Sequence, residues 1–156
     1  MRHSLGHAVA SLIALLLIGL TTEVWAGPAE EVAAVAQPRG QAFLAGNLEA
    51  WVAAYADNAV FHSAPSPFRI EGKPAIRAHF ADLFRAYPER RVSTYQPITR
   101  VYNDDLVISN GYNVLSYTDL KGQITTFHVR FSVTWAKVGG RWQVVDHHIS
   151  RLPPVP

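Results

Sequence analysis

The hydrophobic positions of the chain follow two different periods, and each period predicts a different kind of secondary structure. In the N-terminal half, apolar residues recur every three or four positions, which is the spacing of an amphipathic helix. We predict a first helix over 28–45 with a kink or restart at Pro38, and a second, short helix capped by Asn47. A third helix is predicted between Pro74 and Pro88.

In the C-terminal half, apolar and polar residues alternate with a period of two, which predicts strands separated by turns rich in Asn, Asp and Gly. A short β-like segment is predicted earlier, at 59–63, and 64–72 is predicted as a loop because it holds two prolines. Helices followed by a strand meander predict an α+β fold with helices on one face of an antiparallel sheet. The four long strands are predicted at 91–102, 106–117, 124–137 and 141–151.

The third of these long strands has the clearest alternation. Because side chains alternate between the two faces of a strand, we expect its apolar set to face the helices. The opposite face mixes hydroxyl, imidazole and guanidinium groups, which either a sheet-to-sheet homodimer or a solvated surface explains. The apolar set is Phe127, Val129, Phe131, Val133 and Trp135, and the polar set is Thr126, His128, Arg130, Ser132 and Thr134.

The last predicted strand carries two adjacent histidines, which the alternation sends to opposite faces of the sheet. His147 shares its side with Val145 and Ile149, so we expect it in the apolar interior, where desolvation favours the neutral imidazole. Such a histidine is either the base or hydrogen-bonding group of a ligand site, or a core residue satisfied by a protein partner. A register slip of one residue would place His148 there instead.

Several kinds of site are not predicted. Asp146, His148 and Ser150 share one side of a strand, but this spacing is too wide for the hydrogen bonds of a hydrolase triad. The chain has no cysteine, and beyond the first 26 residues it has no H-x-x-x-H or H-E-x-x-H spacing, so we predict neither a disulfide nor a metal site. It has no glycine-rich phosphate loop, and its net charge of +2 is scattered, so we predict no cofactor and no nucleic-acid partner.

The first 26 residues have the pattern of a secretory signal peptide. A start with Arg2 and two histidines precedes an apolar run over 8–20, and Ala26 is a small residue at a suitable cleavage position. The run is short for a membrane span, and an uncleaved N-terminal anchor is the alternative. We therefore expect a signal peptide over 1–26, a single domain over 27–156 with no stable membrane span, and a periplasmic or secreted location.

Four segments together resemble the NTF2-like superfamily, and within it SnoaL-like proteins and bacterial relatives of the calcium/calmodulin-dependent kinase II association domain. The resemblance covers about residues 29–153 and implies a cone, in which N-terminal helices pack on the concave face of a curved antiparallel sheet and leave a pocket between. It also implies homodimers that pair through the outer sheet face. The segments are Ala45–Trp51, Tyr55–Val60, Glu71–Arg77 and Gly140–Ser150.

The chain departs from its relatives at the positions that carry their chemistry. Ser63 stands where the ketosteroid isomerase branch has an aspartate base, Phe131 or Ser132 where it has a proton-donating acid, and Arg39 near its tyrosine. Steroid isomerisation is therefore not supported. The kinase association domain has a pocket lined by arginines, and the matching residues here are Asn113, Val133 and Ile149.

Three functions follow as hypotheses. The first is an exported module that binds a small molecule in a mostly apolar pocket. The second is a SnoaL-like isomerase, dehydratase or cyclase with His147 as general base and Tyr55, His62 or Tyr117 as polar partners. The third is a dimeric structural or assembly module with a filled core. The predicted ligand-binding residues are Trp51, Tyr55, His62, Asn113, Phe131, Val133, Val145, His147 and Ile149.

Overall fold

The computed structural model describes residues 26–153, so the predicted signal peptide lies outside the described residues except for Ala26. Helices occupy the first part of this range and long strands the second, as the two hydrophobic periods predict. Within it, no helix is both long enough and apolar enough to cross a membrane. The elements are α1 (Pro28–Ala45), α2 (Leu48–Ala53), β1 (Tyr55–His62), β2 (Ile70–Glu71), α3 (Lys73–Ala86), β3 (Glu89–Asn103), β4 (Leu106–Thr118), β5 (Ile124–Val138) and β6 (Arg141–Arg151).

The helix ends follow their local sequence signals, whereas the expected break at Pro38 does not divide α1 into two helices. Gly46 ends α1 in the left-handed conformation (φ 73°), which glycine adopts without steric cost. Asn47 then caps α2, where its Oδ1 accepts a hydrogen bond of 3.1 Å from the backbone N–H of Ala50. The chain therefore turns sharply between the two helices and presents both to the same face of the sheet.

The six strands form one sheet in the order β2-β1-β6-β5-β4-β3. Strands β3 to β6 make the predicted antiparallel meander, but β1 pairs with β6 in parallel, so the sheet is mixed. The segment predicted as a loop contains β2, which returns alongside β1 so that Val60 pairs with Glu71. The prolines at 65 and 67 lie in the connection between β1 and β2, where no ladder hydrogen bond is needed.

The core lies between the helices and the inner face of the sheet. The alternation of β5 is confirmed there, since Val129, Val133 and Trp135 are buried. Aromatic rings from the helices and β1 interlock above them; the ring centroids of Trp51 and Phe80 are 5.1 Å apart. The largest fully buried side chains are Trp135, Tyr55, Phe61, Ile76, Val107, Val129 and Val144.

Bulges interrupt the long ladders and shift the register of the strands. In β3 the register shifts between Tyr95 and Ile98, and Gln96 has a positive φ of 49°. Gly111 faces this bulge, and a Cβ there would lie 3.1 Å from Gln96 O, so a side chain would push β3 back by a few tenths of an ångström. In β6 the bulge falls at Val145, because Val144 pairs with Trp135 while Asp146 pairs with Thr134.

Candidate functional site

The two adjacent histidines of β6 lie on opposite faces of the sheet. His147 pairs with Val133 on the inner face and has only 5 % of its surface exposed. His148 is exposed on the outer face, where its ring centroid is 5.3 Å from that of His62 on the neighbouring strand β1. One residue type therefore occupies two different environments because of the two-residue period of a strand.

A chain of hydrogen bonds connects His147 to α1 through the first residue of β1. The hydroxyl of Tyr55 lies 2.7 Å from Nδ1 of His147, and Nη2 of Arg39 donates to the same hydroxyl at 2.8 Å. A single residue separates the end of α2 from Tyr55, the first residue of β1. The tyrosine ring therefore enters the core directly after the helix. We call these three residues, Arg39, Tyr55 and His147, the polar chain.

The polar chain has a direction, because a guanidinium group can only donate hydrogen bonds. The Tyr55 oxygen accepts from Arg39, and we assign the hydroxyl proton to His147 Nδ1, the other hydrogen-bond partner that this hydroxyl has among the described residues. An accepting Nδ1 carries no proton, so the neutral ring carries its proton on Nε2. The polar chain therefore ends in the Nε2–H donor of His147.

Burial sets the protonation state of each member. Desolvation, with the nearby charge of Arg39 second, holds the pKa of His147 well below its ordinary value of 6.5. Desolvation also raises the pKa of Tyr55 to about 12, although the Arg39 charge opposes that rise. At neutral pH the histidine and the tyrosine are uncharged, and Arg39 is the charged member.

Arg39 lacks an acidic partner within the described part of the chain. Its guanidinium stacks 3.6 Å above the ring of Trp51, and only 8 % of the residue is exposed. No carboxylate of residues 26–153 lies within ion-pair distance, and its Nε has no hydrogen-bond partner there. A buried charge with one hydroxyl partner is energetically unfavourable, and the cation–π contact offsets only part of that cost.

Arg39 also forms part of the wall of a surface groove of about 530 Å³ between α1, α2 and the start of β6. His147 is not in the wall of this groove, so Tyr55 and Arg39 stand between the imidazole and the groove. We call it the α1–α2–β6 groove. It is lined by Ala34, Val35, Pro38, Arg39, Ala50, Ala53, Ala54, Arg141, Trp142 and Gln143.

A second concavity, of about 440 Å³, lies at the bulge of β3 and mainly on the outer face of the sheet. Beside it, the rings of Tyr95 and Tyr112 stack with centroids 5.3 Å apart. We call it the outer-face hollow. It is lined by Gln96, Ile98, Asn110, Gly111, Tyr112, Arg130, Phe131, Ser132 and His148.

The structure brings some of the predicted site residues together and separates others. Trp51, Tyr55 and Val133 surround His147, and the Phe131–Ile149 pair follows next along the β5–β6 ladder. Asn113 lies further along the inner face, where Thr94 donates to its Oδ1 at 2.7 Å. His62 is on the outer face, and Val145 is the extra residue of the β6 bulge.

Sequence reasoning missed the role of Arg39. Its signal is a charged residue within the stripe of α1 that otherwise contributes Val32, Ala42 and Phe43 to the core. A helix stripe interrupted by an arginine points to a buried cation, which needs a partner. Tyr117, one of the three polar partners predicted for His147, instead packs against Tyr87 and Phe127. Across residues 26–153, no three His, Asp or Glu side chains lie close enough to hold a metal ion.

The fold and the sequence both match known proteins. The structure is similar to a proposed association domain of calcium/calmodulin dependent protein kinase II from Xanthomonas campestris, with TM-score 0.72 and 24% identity, covering 84% of this chain and 95% of that one. It is also similar to an NTF2-like protein from Pseudomonas putida KT2440, with TM-score 0.67, 24% identity and coverages of 77% and 83%. A proposed NTF2-like dehydratase from Streptomyces avermitilis has TM-score 0.72, 12% identity and coverages of 81% and 98%.

These similarities define the class of protein as an NTF2-like α+β cone, with helices packed on a curved, unclosed sheet. Residues 28–153 match the model of the calcium/calmodulin dependent protein kinase II association domain. The chain therefore belongs to that family. A search of curated protein sequences finds no match.

Proposed function

We propose that this protein is a binding module for a small molecule that carries a hydrogen-bond acceptor, and that Arg39, with Tyr55 and His147 behind it, recognises that acceptor. The observation that carries the proposal is that the buried guanidinium of Arg39 has no carboxylate partner among residues 26–153, while Arg39 forms part of the wall of an open groove. Buried charges in proteins are normally paired, so a ligand that supplies the acceptor explains why this one is retained.

The direction of the polar chain favours binding over general-base catalysis. Nδ1 of His147 is already engaged by Tyr55, and the assigned tautomer carries a proton on Nε2, so neither nitrogen offers a free lone pair. His62 lies on the other face of the sheet and does not assist His147. The alternative function is an isomerase, dehydratase or cyclase with His147 as its general base. That role requires the tautomer with the proton on Nδ1 and a free lone pair on Nε2.

The binding proposal is tested with a panel of simple probes. We expect an acceptor such as benzoate, acetate, benzamide or cyclohexanone to raise the melting temperature, and toluene, which has no acceptor, to leave it unchanged. A probe at ten times its Kd stabilises the folded state by about 1.4 kcal/mol, or a few degrees for a domain of this size. The Arg39→Met variant removes the shift, and a panel with no shift in the wild-type chain contradicts the proposal.

We also propose that the protein is exported, on the evidence of residues 1–26. The first described helix begins at Pro28, two residues after the predicted cleavage position, so cleavage leaves every described element intact. Expression with the native N-terminus in a Gram-negative host, followed by fractionation and mass measurement, tests this. We expect a periplasmic or secreted chain that starts at Gly27, and a full-length chain in the cytoplasm contradicts export.

Assembly is a second candidate function, which the match to an association-domain family favours. We propose a homodimer through the outer sheet face, where stacked Tyr95 and Tyr112 adjoin Ile98, a residue that is 55 % exposed. Sedimentation equilibrium of Ile98→Asp tests it, with Leu120→Asp in the β4–β5 turn as the matched control (77 % exposed). We expect only Ile98→Asp to be monomeric; a monomeric wild-type chain contradicts the proposal.

A further inference from the structure

The proposed function leaves the ligand class and its place open, and the α1–α2–β6 groove defines both. Resting on that proposed function, we infer that the ligand is a carboxylate joined to an apolar body. The carboxylate binds the guanidinium of Arg39, and the apolar body lies along the groove between the two helices. This place is at the helical end of the molecule, separated from His147 by Tyr55 and away from the outer face of the sheet.

The charge of the groove selects an anion. None of its ten lining residues is acidic, and two of them, Arg39 and Arg141, are cations. Glu31, an acid on the same helix as Arg39, is already engaged, because Lys137 Nζ lies 2.9 Å from its Oε2 and Trp142 Nε1 donates to that oxygen at 2.5 Å. The groove therefore has an uncompensated positive charge at its wall.

The geometry of Arg39 selects a carboxylate among anions and neutral acceptors. A guanidinium has five N–H donors, and within the described residues that of Arg39 uses one of them, on Tyr55. Its Nε is buried without a partner, whereas its Nη1 makes no hydrogen bond there and is not fully buried, so Nη1 is the donor that a ligand can reach. A carboxylate offers two oxygens in the planar arrangement that guanidinium groups bind best, and charge-assisted bonds are stronger than those to a neutral acceptor. The ring of Trp51 stacks 3.6 Å from the guanidinium, so the orientation of the guanidinium is set before a ligand arrives.

The rest of the lining selects an apolar body. Apart from Arg39, Arg141 and Gln143, the wall consists of alanines from both helices with Val35, Pro38 and Trp142. Alanine side chains keep the helices from filling the space between them, and the resulting volume of about 530 Å³ lies within the usual range of small-molecule sites. A carboxylate without an apolar body would leave this surface in water and bind more weakly.

The test compares three probes on the complete mature chain by isothermal titration calorimetry. Benzoate has both features, benzamide lacks the charge, and acetate lacks the apolar body. We expect benzoate to bind at least tenfold more tightly than either of the other two probes. The Arg39→Met substitution should lower the affinity for benzoate to that for benzamide. Circular dichroism of Arg39→Met establishes that the variant is folded before it is titrated.

A pair of neighbouring alanines on α1 tests the place independently of the charge. Ala34 lines the groove and Ala33 does not, although both are exposed. Ala34→Leu fills the groove, so we expect it to weaken benzoate at least fivefold, while Ala33→Leu leaves the affinity unchanged.

The outcomes separate the inference from the proposed function. If Ala34→Leu and Ala33→Leu bind benzoate equally well while Arg39→Met loses affinity for it, the ligand does not lie in the α1–α2–β6 groove, but the binding function stands. If benzamide binds more tightly than benzoate, the ligand class is not a carboxylate, but the binding function again stands. If no probe of the wider panel binds the wild-type chain, the proposed function itself fails, and the inference fails with it.

Discussion

One buried arginine lies within α1 and another binds the end of that helix, and their surroundings differ sharply. Arg90, at the start of β3, donates from Nε to Phe43 O at 3.0 Å, from Nη2 to Leu44 O at 3.4 Å and from Nη1 to Tyr87 O. Two of these carbonyls belong to the last turn of α1, where only a long backbone bond of 3.3 Å from Gly46 N–H to Phe43 O is also available. Arg39, in the middle of the same helix, donates to a single tyrosine hydroxyl.

The difference shows how the same kind of side chain has its hydrogen bonds met by the fold in one place and largely unmet in another. Arg90 satisfies carbonyls at the negative end of a helix dipole, so its charge is balanced by the backbone itself. The position of Arg39 has no free carbonyl of that kind, because the backbone acceptors of a helix interior are already used. The guanidinium of Arg39 is therefore left with N–H donors that no residue of the described range uses.

The largest expected effect comes from replacing Arg90 by methionine, which keeps an apolar stem and removes the charge, and the same substitution at Arg39 is its comparison. We expect Arg90→Met to lower the free energy of unfolding by about 3 kcal/mol, because three carbonyls lose their charged donor. Arg39→Met should stay within about 1 kcal/mol of wild type, because it also removes an unpaired buried charge. Urea denaturation followed by tryptophan fluorescence measures both.

A loss for Arg39→Met as large as that for Arg90→Met would contradict this comparison. It would mean that the cation–π contacts with Trp51 and Tyr55 already compensate the charge, and that Arg39 serves the fold.

Removing the middle of the polar chain should give a smaller effect. We expect Tyr55→Phe to lower the free energy of unfolding by about 2 kcal/mol, since Arg39 and His147 both lose their hydrogen-bond partner. In the Arg39→Met background the same change should cost about 1 kcal/mol less, because one of the two orphaned groups is gone. Tyr112→Phe on the outer face is the matched control, with an expected change below about 0.5 kcal/mol. If Tyr55→Phe and Tyr112→Phe lose equal stability, the hydrogen bonds of the polar chain do not stabilise the fold.

Acid should destabilise the protein through His147. Its pKa is lowered in the folded state, so the unfolded chain binds this proton first, and the stability falls as the pH drops below the ordinary value of 6.5. Between pH 6.5 and 5.5 the share of His147 is at most about 1.4 kcal/mol.

Two asparagine variants isolate that share. His147→Asn keeps an acceptor for Tyr55 but cannot titrate, so its stability should depend less on pH than that of wild type. His148→Asn, on the outer face, is the matched control and should keep the wild-type dependence on pH. Burial also lowers the pKa of His79, but that residue is present in both variants and contributes equally to both. Thermal melts at pH 7.5, 6.5 and 5.5 measure this, and identical profiles for the two asparagine variants would show that His147 does not titrate differently on folding.

The smallest effect is expected at the rim of the α1–α2–β6 groove. Arg141 is exposed and lines the groove, so it attracts an anion through solvent without holding it. Arg141→Gln should weaken benzoate binding about two- to threefold at low ionic strength, and the difference should vanish in about 0.5 M salt because exposed charges are screened. A salt-independent loss would place Arg141 in direct contact with the carboxylate.

Local patterns predicted most of the fold. The four meander strands lie within two residues of their expected bounds, Gly46 and Asn47 end and begin helices as expected, and the alternation of β5 places its apolar side in the core. The parallel pairing of β1 with β6 was not predicted, because it joins residues about 90 positions apart and leaves no local signal. The two-residue strand β2 was not predicted either, since it is too short to show a period.

What the sequence alone determined is therefore the class of fold and the opposite placement of His147 and His148, because helix caps, turns and a strict side-chain period are local properties. What only the tertiary structure decided is which groups meet. The Arg39–Tyr55–His147 chain joins a helix, the start of one strand and the end of another. Whether a buried guanidinium finds a partner depends on packing between distant segments, and so its missing acceptor is visible only in three dimensions.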